Sequence, residues 1–137
     1  MATTITVSAQ VAVSPEKAWE LWNTPQHITQ WNSPSPEWHS PTAENELKEG
    51  GKFSFRMEAK DGSMGFDFAG AYDRIIPNEH LEYTMGDGRK CIIKFSAKNG
   101  GTFIEETFDP ENINPEEMQR AGWQAILDNF KQYAESR

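Results

Sequence analysis

Two side chains in this sequence stand where proton chemistry could be done. The segment GGTFIEETF at 100–108 carries adjacent glutamates, Glu105 and Glu106. Successive side chains of a strand point to opposite faces, so one of the two must face outward and the other inward. An inward carboxylate without a partner is disfavoured in its charged form and would be neutral near physiological pH. Such a group suits a ligand anchor for a hydroxyl or amine, or a general base. It equally suits a satisfied core residue bonded to Tyr72, Tyr83, Trp123 or a buried water. His39, beside Trp38 in WNSPSPEWHSP at 31–41, is the natural proton carrier of the chain. Unless a second titrating group converges on it, it is a packing or surface histidine.

Other chemistries lack their residues. His27, His39 and His80 are scattered and Cys91 stands alone, so no zinc pattern exists and no metal is expected. GxSxG, GxxxxGK[ST] and GxGxxG are absent; GDGRK at 86–90 is a turn, and no cofactor is expected. The net charge of −8 repels nucleic acid and anionic lipid, so neither a nucleic acid nor a membrane is an expected partner. No run reaches the roughly 18 apolar residues of a membrane span. At 137 residues the chain reads as one domain, 1–137, able to bury a core of its own. One cysteine forms no internal bridge and no leader pattern precedes the first strand, which gives a cytoplasmic expectation. Five tryptophans and an aromatic fraction of 12% must fill a core or line something.

The elements that position these residues follow from periodicity and turn chemistry. Residues 3–13 alternate as a half-buried strand. Ser14 and Pro15 start a helix that buries Ala18, Trp19, Leu21 and Trp22, and Thr24 with Pro25 start a second toward Trp31. The Trp-rich proline segment reads as an ordered loop. Asp61-Gly62 suits a two-residue turn that sets Lys60 opposite Ser63, Met57 opposite Phe66, Arg56 opposite Asp67 and Phe55 opposite Phe68. The charged pair then lies on the outer face. Phe53, Phe55, Met57, Met64, Phe66, Phe68 and Tyr72 share the other. Strands are expected at about 80–85, 89–98 and 101–108, and a three-residue loop at 86–88 sets Leu81 opposite Ile93 and Tyr83 opposite Cys91. Asn99-Gly100 sets Ile104 opposite Phe95, Glu105 opposite Lys94 and Glu106 opposite Ile93, which turns Glu106 inward. Asn114, Pro115 and Glu117 form a capping box for a long helix with Trp123, Ile126, Leu127, Phe130, Tyr133 and Ala134 on its apolar stripe.

This order, with SPEKAWELW at 14–22, the WNSPSPEWHSP loop, GGKFSF at 50–55, FAGAYDRIIPNEHLEY at 68–83 and QRAGWQAILDNFKQY at 119–133, resembles the START-related superfamily that also holds polyketide cyclases and aromatases. Within it, the chain is similar to small proteins resembling the activator of heat-shock protein 90 ATPase. The resemblance implies an α+β helix-grip fold: a curved antiparallel sheet wrapped around the C-terminal helix, with two short helices after the first strand. It also implies a cavity for an apolar or amphipathic small molecule, and no metal, nucleotide or flavin.

The expected ligand-binding set is Trp31, Trp38, His39, Phe55, Phe66, Phe68, Tyr72, Tyr83, Ile93, Phe95, Glu106, Phe108, Gly122, Trp123, Ile126 and Phe130. Glu106 would be the polar anchor, and the Trp38-His39 loop the mouth. Gly122 serves either a close approach of helix to sheet or the approach of a ligand to the helix. Two other functions stay open. One is an enzyme of cyclase, dehydratase or hydrolase type with Glu106 as base and His39 or a tyrosine as acid. The other is protein binding in the co-chaperone manner. A monomer or weak homodimer is expected.

Overall fold

The computed structural model describes residues 4–137. The elements in chain order are β1 (Ile5–Val11), α1 (Pro15–Asn23), α2 (Pro25–Trp31), β2 (Trp38–His39), β3 (Ala43–Asn45), β4 (Lys52–Ala59), β5 (Gly65–Ile76), β6 (His80–Met85), β7 (Lys90–Lys98), β8 (Gly101–Phe108) and α3 (Glu116–Glu135). The expected first strand begins at residue 3, which lies outside the described residues. Its alternation holds from Ile5, with Ile5, Val7 and Val11 buried.

The helices start where local chemistry puts them, with one exception. The Ser14 Oγ accepts the Lys17 N–H at 3.2 Å and caps α1, with Pro15 in its first turn. Thr24 opens α2 through its backbone alone. The expected capping box of α3 does not form: Pro115 occupies the cap position, without a side-chain bond. The Asn114 amide is instead taken by the Glu111 carboxylate.

All the strands of the sheet pair antiparallel in the order β1-β8-β7-β6-β5-β4-β2, with β3 also on β4. The turns hold the expected registers. Asn99 and Gly100 have φ of 52° and 79°, the pair of left-handed residues that a two-residue hairpin needs, and Glu106 lies opposite Ile93. The three-residue loop at 86–88 sets Tyr83 opposite Cys91. At Asp61-Gly62 the register is as expected but the turn is wider. Only Gly62 takes a positive φ; the Asp61 carboxylate accepts the Ser63 N–H at 2.8 Å, and Ala59 and Met64 close the loop.

The sheet curls around α3, and β1 is its edge strand beside the helix. Three carbonyls of that edge are satisfied by helix side chains: Arg120 Nη1 donates to Thr6 at 2.9 Å, Gln124 Nε2 to Ser8 at 3.0 Å and Lys131 Nζ to Gln10 at 2.6 Å. The Glu135 carboxylate accepts the Ala12 N–H at 3.0 Å. An edge that would otherwise be open to pairing is thereby closed. The core runs between sheet and helices and includes Ile5, Val11, Leu21, Ile28, Ile93, Ile104, Phe108, Leu127 and Phe130, all essentially inaccessible. The architecture is an α+β helix-grip fold. No helix of the described residues is long and apolar enough to cross a membrane.

Candidate functional site

Beneath the first half of α3 the space between helix and sheet is not filled. A cavity of about 380 Å³ lies there, walled by β4, β5 and β6 below and by Met118, Gln119, Gly122, Trp123 and Ile126 above. Gly122 explains part of the hollow. A Cβ built on it would have nothing within 4 Å, so this glycine serves no close approach of helix to sheet and leaves open room instead. Next to it, the Trp123 ring stacks on Phe108, with centroids 3.8 Å apart and planes at 10°. Further along the helix the space closes. Phe130 packs edge-on against Trp22 and Trp31, with centroids 4.8 and 4.9 Å away. Trp31 is pinned there by its indole N–H on the Leu21 carbonyl at 3.0 Å.

The floor is a continuous aromatic surface. Phe53 touches the rings of Phe55, Phe68, Tyr72 and Tyr83, with centroids 4.9–5.8 Å away. Gly70 permits this arrangement, since a Cβ there would fall 2.9 Å from the Phe53 ring. At the end of the β4–β5 hairpin the lining reaches the surface. Phe66 and, across from it on α3, Met118 line the cavity yet are 49% and 61% exposed, which marks its mouth. Met64, on the same face of the hairpin, lies beyond the cover of the helix and is exposed.

Glu106 is the buried acid of this cavity. Its residue is only 6% exposed, and the Asn99-Gly100 turn sends it inward from β8. The polar neighbour of its carboxylate is the Cys91 thiol, at 4.0 Å from Oε2. Burial alone, with no cation to offset it, raises its pKa to about 8, so the group is mainly protonated at neutral pH. Burial likewise pushes the Tyr83 phenol and the Cys91 thiol well up, and the nearby Glu106 adds to both. Both stay neutral, and Cys91 is an inert thiol rather than a nucleophile. Tyr72 is raised more mildly by burial, and its hydroxyl accepts the Asn45 amide at 3.2 Å.

A second polar group borders the cavity around Arg89, Glu111, Asn114 and Gln119. Arg89 donates from Nε to Asp87 at 2.8 Å and from Nη1 to the Asp109 carbonyl at 3.3 Å. Gln119 fastens the 109–115 loop to the helix. Its carbonyl accepts the Glu111 N–H at 2.9 Å, and its amide donates to the carbonyls of Glu111 and Asn114 at 3.0 and 2.8 Å.

Around this cavity the fold brings together Trp31, Trp38, Phe55, Phe66, Phe68, Tyr72, Tyr83, Glu106, Gly122, Trp123 and Ile126. Ile93, Phe95, Phe108 and Phe130 share the inward face but do not line it. Trp123 covers Phe108, the tryptophans of α1 and α2 enclose Phe95 and Phe130, and Ile93 is sealed in the core. His39 is placed elsewhere. Trp38 points into the cavity, so its neighbour on the strand points to the opposite face. There His39 Nε2 lies 3.6 Å from Glu58, which also binds Arg56 at 2.8 Å, while Arg56 reaches Asp67 at 3.3 Å. The expected outer-face ion pair exists, and the imidazole belongs to it rather than to Glu106. The lining also includes residues not anticipated for it, among them Met118, Gln119 and Arg89. Met118 and Gln119 stand four and three residues before Gly122, and that helical spacing is the signal that could have identified them. Among the described residues no cluster of histidine, cysteine and acids could hold a metal.

The family model described as activator of Hsp90 ATPase homolog 1-like protein matches residues 12–135. An AHSA1-like protein from Aeromonas hydrophila, solved in solution, is 42% identical, with a TM-score of 0.91 over 98% of this chain and 93% of its own. A Cytophaga hutchinsonii protein, also solved in solution, is 53% identical, with a TM-score of 0.84 over 97% and 92% of the two chains. A Chromobacterium violaceum protein shares the fold at 19% identity, with a TM-score of 0.84 over 96% of each chain. The comparison with curated proteins found no match.

Proposed function

Because the chain belongs to the activator of Hsp90 ATPase homolog 1-like family, in a fold that commonly binds ligands, we propose that it binds an apolar or amphipathic small molecule between the sheet and the first half of α3. The observation that carries this reading is the cavity of about 380 Å³, within the usual size of small-molecule sites, with mainly aromatic walls and one buried carboxyl. In this reading residues 1–137 act as one domain, a cytoplasmic monomer or weak homodimer that needs no cofactor. Phe66 and Met118 form the entrance, and their exposure supports ligand entry there.

The test uses a neutral phenylnaphthylamine probe, whose fluorescence rises in apolar surroundings. Wild-type protein should enhance the emission, and saturating probe should raise its Tm; a ligand at a hundred times its Kd stabilises by about 2.7 kcal/mol. Gly122→Leu, which fills the hollow from above, should stay folded and lose both effects. Equal enhancement by the two proteins would place the probe elsewhere and defeat the reading.

A further inference from the structure

The cavity contains a buried acid whose recorded partner among the described residues is a neutral thiol, Cys91, at 4.0 Å. The elements packed around Glu106 present no cation to it. Tyr83 comes from β6 and Cys91 from β7, both neutral; Val7 lies opposite on β1; the lining residues of α3 carry no charge. The one guanidinium bordering the cavity, Arg89, is engaged by Asp87 and the Asp109 carbonyl and contributes nothing to the ionisation of Glu106. A buried carboxyl in this position is satisfied either by a proton or by a cation brought from outside.

The surroundings favour the cation. Tyr83, Phe53, Phe68 and Trp123 turn aromatic rings to the same space, and aromatic faces attract ammonium groups, most strongly where water is excluded. The net charge of −8 concentrates cations around the molecule. Resting on the cavity reading above, we propose that the ligand is an amphipathic amine, its ammonium paired with Glu106 and its apolar body lying on the aromatic floor.

The step balances without a further reactant. An ammonium ion enters, the Glu106 O–H bond breaks, and the proton leaves to solvent as the ion pair forms. With the carboxyl titrating at about 8, ionising it at pH 7 costs about tenfold in affinity, which the ion pair and the aromatic faces around the ammonium must together offset.

Calorimetric titration with phenylbutylamine and its uncharged counterpart phenylbutanol tests the proposal at pH 7, in two buffers of different ionisation enthalpy. Wild-type protein should bind the amine at least about tenfold more tightly than the alcohol, about 1.4 kcal/mol. It should release close to one proton per amine bound. Glu106→Gln should lose the preference and the proton release while still binding the alcohol. If Glu106→Gln does not fold, the proton count on the wild type decides alone. Equal binding of both compounds without proton release overturns the amine inference and leaves the cavity reading intact. Binding of neither, together with failure of the phenylnaphthylamine test, removes both.

Discussion

The two halves of α3 lie over the same sheet and differ in what they cover. The second half buries Leu127, Phe130 and Ala134 completely, with Phe130 edge-on to Trp22 of α1 and Trp31 of α2. The first half presents Gly122 and the edges of Trp123 and Ile126 to an open space. A helix anchored by packing at one end need not be packed at the other. Over the hollow half, polar bonds to the β1 edge from Arg120 and Gln124, with the stack of Trp123 on Phe108, keep the helix in place. One half supplies stability, and the other keeps a volume free.

Mutations should separate the halves. Phe130→Ala should cost about 3–5 kcal/mol in urea unfolding, since it leaves a cavity in a filled region. Ile126→Ala should cost nearer about 1 kcal/mol, because the removed carbons already face empty space. Equal costs would mean that the first half is packed as tightly as the second.

The next effect depends on pH. The folded-state pKa of Glu106 lies above the ordinary carboxyl value, at about 8. Between about pH 4.5 and 8 the folded protein therefore holds a proton that the unfolded chain gives up, and this group makes stability fall as pH rises through that window. Glu106→Gln should remove that fall, gaining about 2–3 kcal/mol over wild type between pH 5 and pH 7 at about 1.4 kcal/mol per unit. Parallel pH–stability curves for the two proteins would mean that the carboxyl is solvated or paired.

Gly122→Ala gives a smaller change. It should stabilise by about 0.5–1 kcal/mol through helix propensity, because the added methyl meets nothing. A loss of stability would show the helix pressed on the sheet and would erase the contrast between the halves. Asp67→Asn, on the outer face, should leave the urea midpoint unchanged within error, since the exposed pair is solvated.

Registers were readable because hairpin turns encode them over a few residues. Asn99-Gly100 demands two left-handed residues and so fixes which of Glu105 and Glu106 turns inward. At Asp61-Gly62 the register was legible although the turn was not, since the Asp61 side chain offered the backbone another bond. Asn114 does not cap α3 as its motif predicts: its side-chain N–H is tied back to the Glu111 carboxylate, a partner that cap motifs leave out.

Chain order, strand phase and the inward turn of Glu106 were determined by the sequence alone, because each depends on contacts between near neighbours. Which inward residues would face space and which would be covered was decided only by the tertiary structure. That outcome depends on the height of α3 above the sheet, set by Arg120, Gln124 and Lys131 reaching carbonyls more than a hundred residues away. Trp123 stacks on Phe108 of the preceding strand, and no local pattern records that Phe130 fills its site while Gly122 leaves one empty.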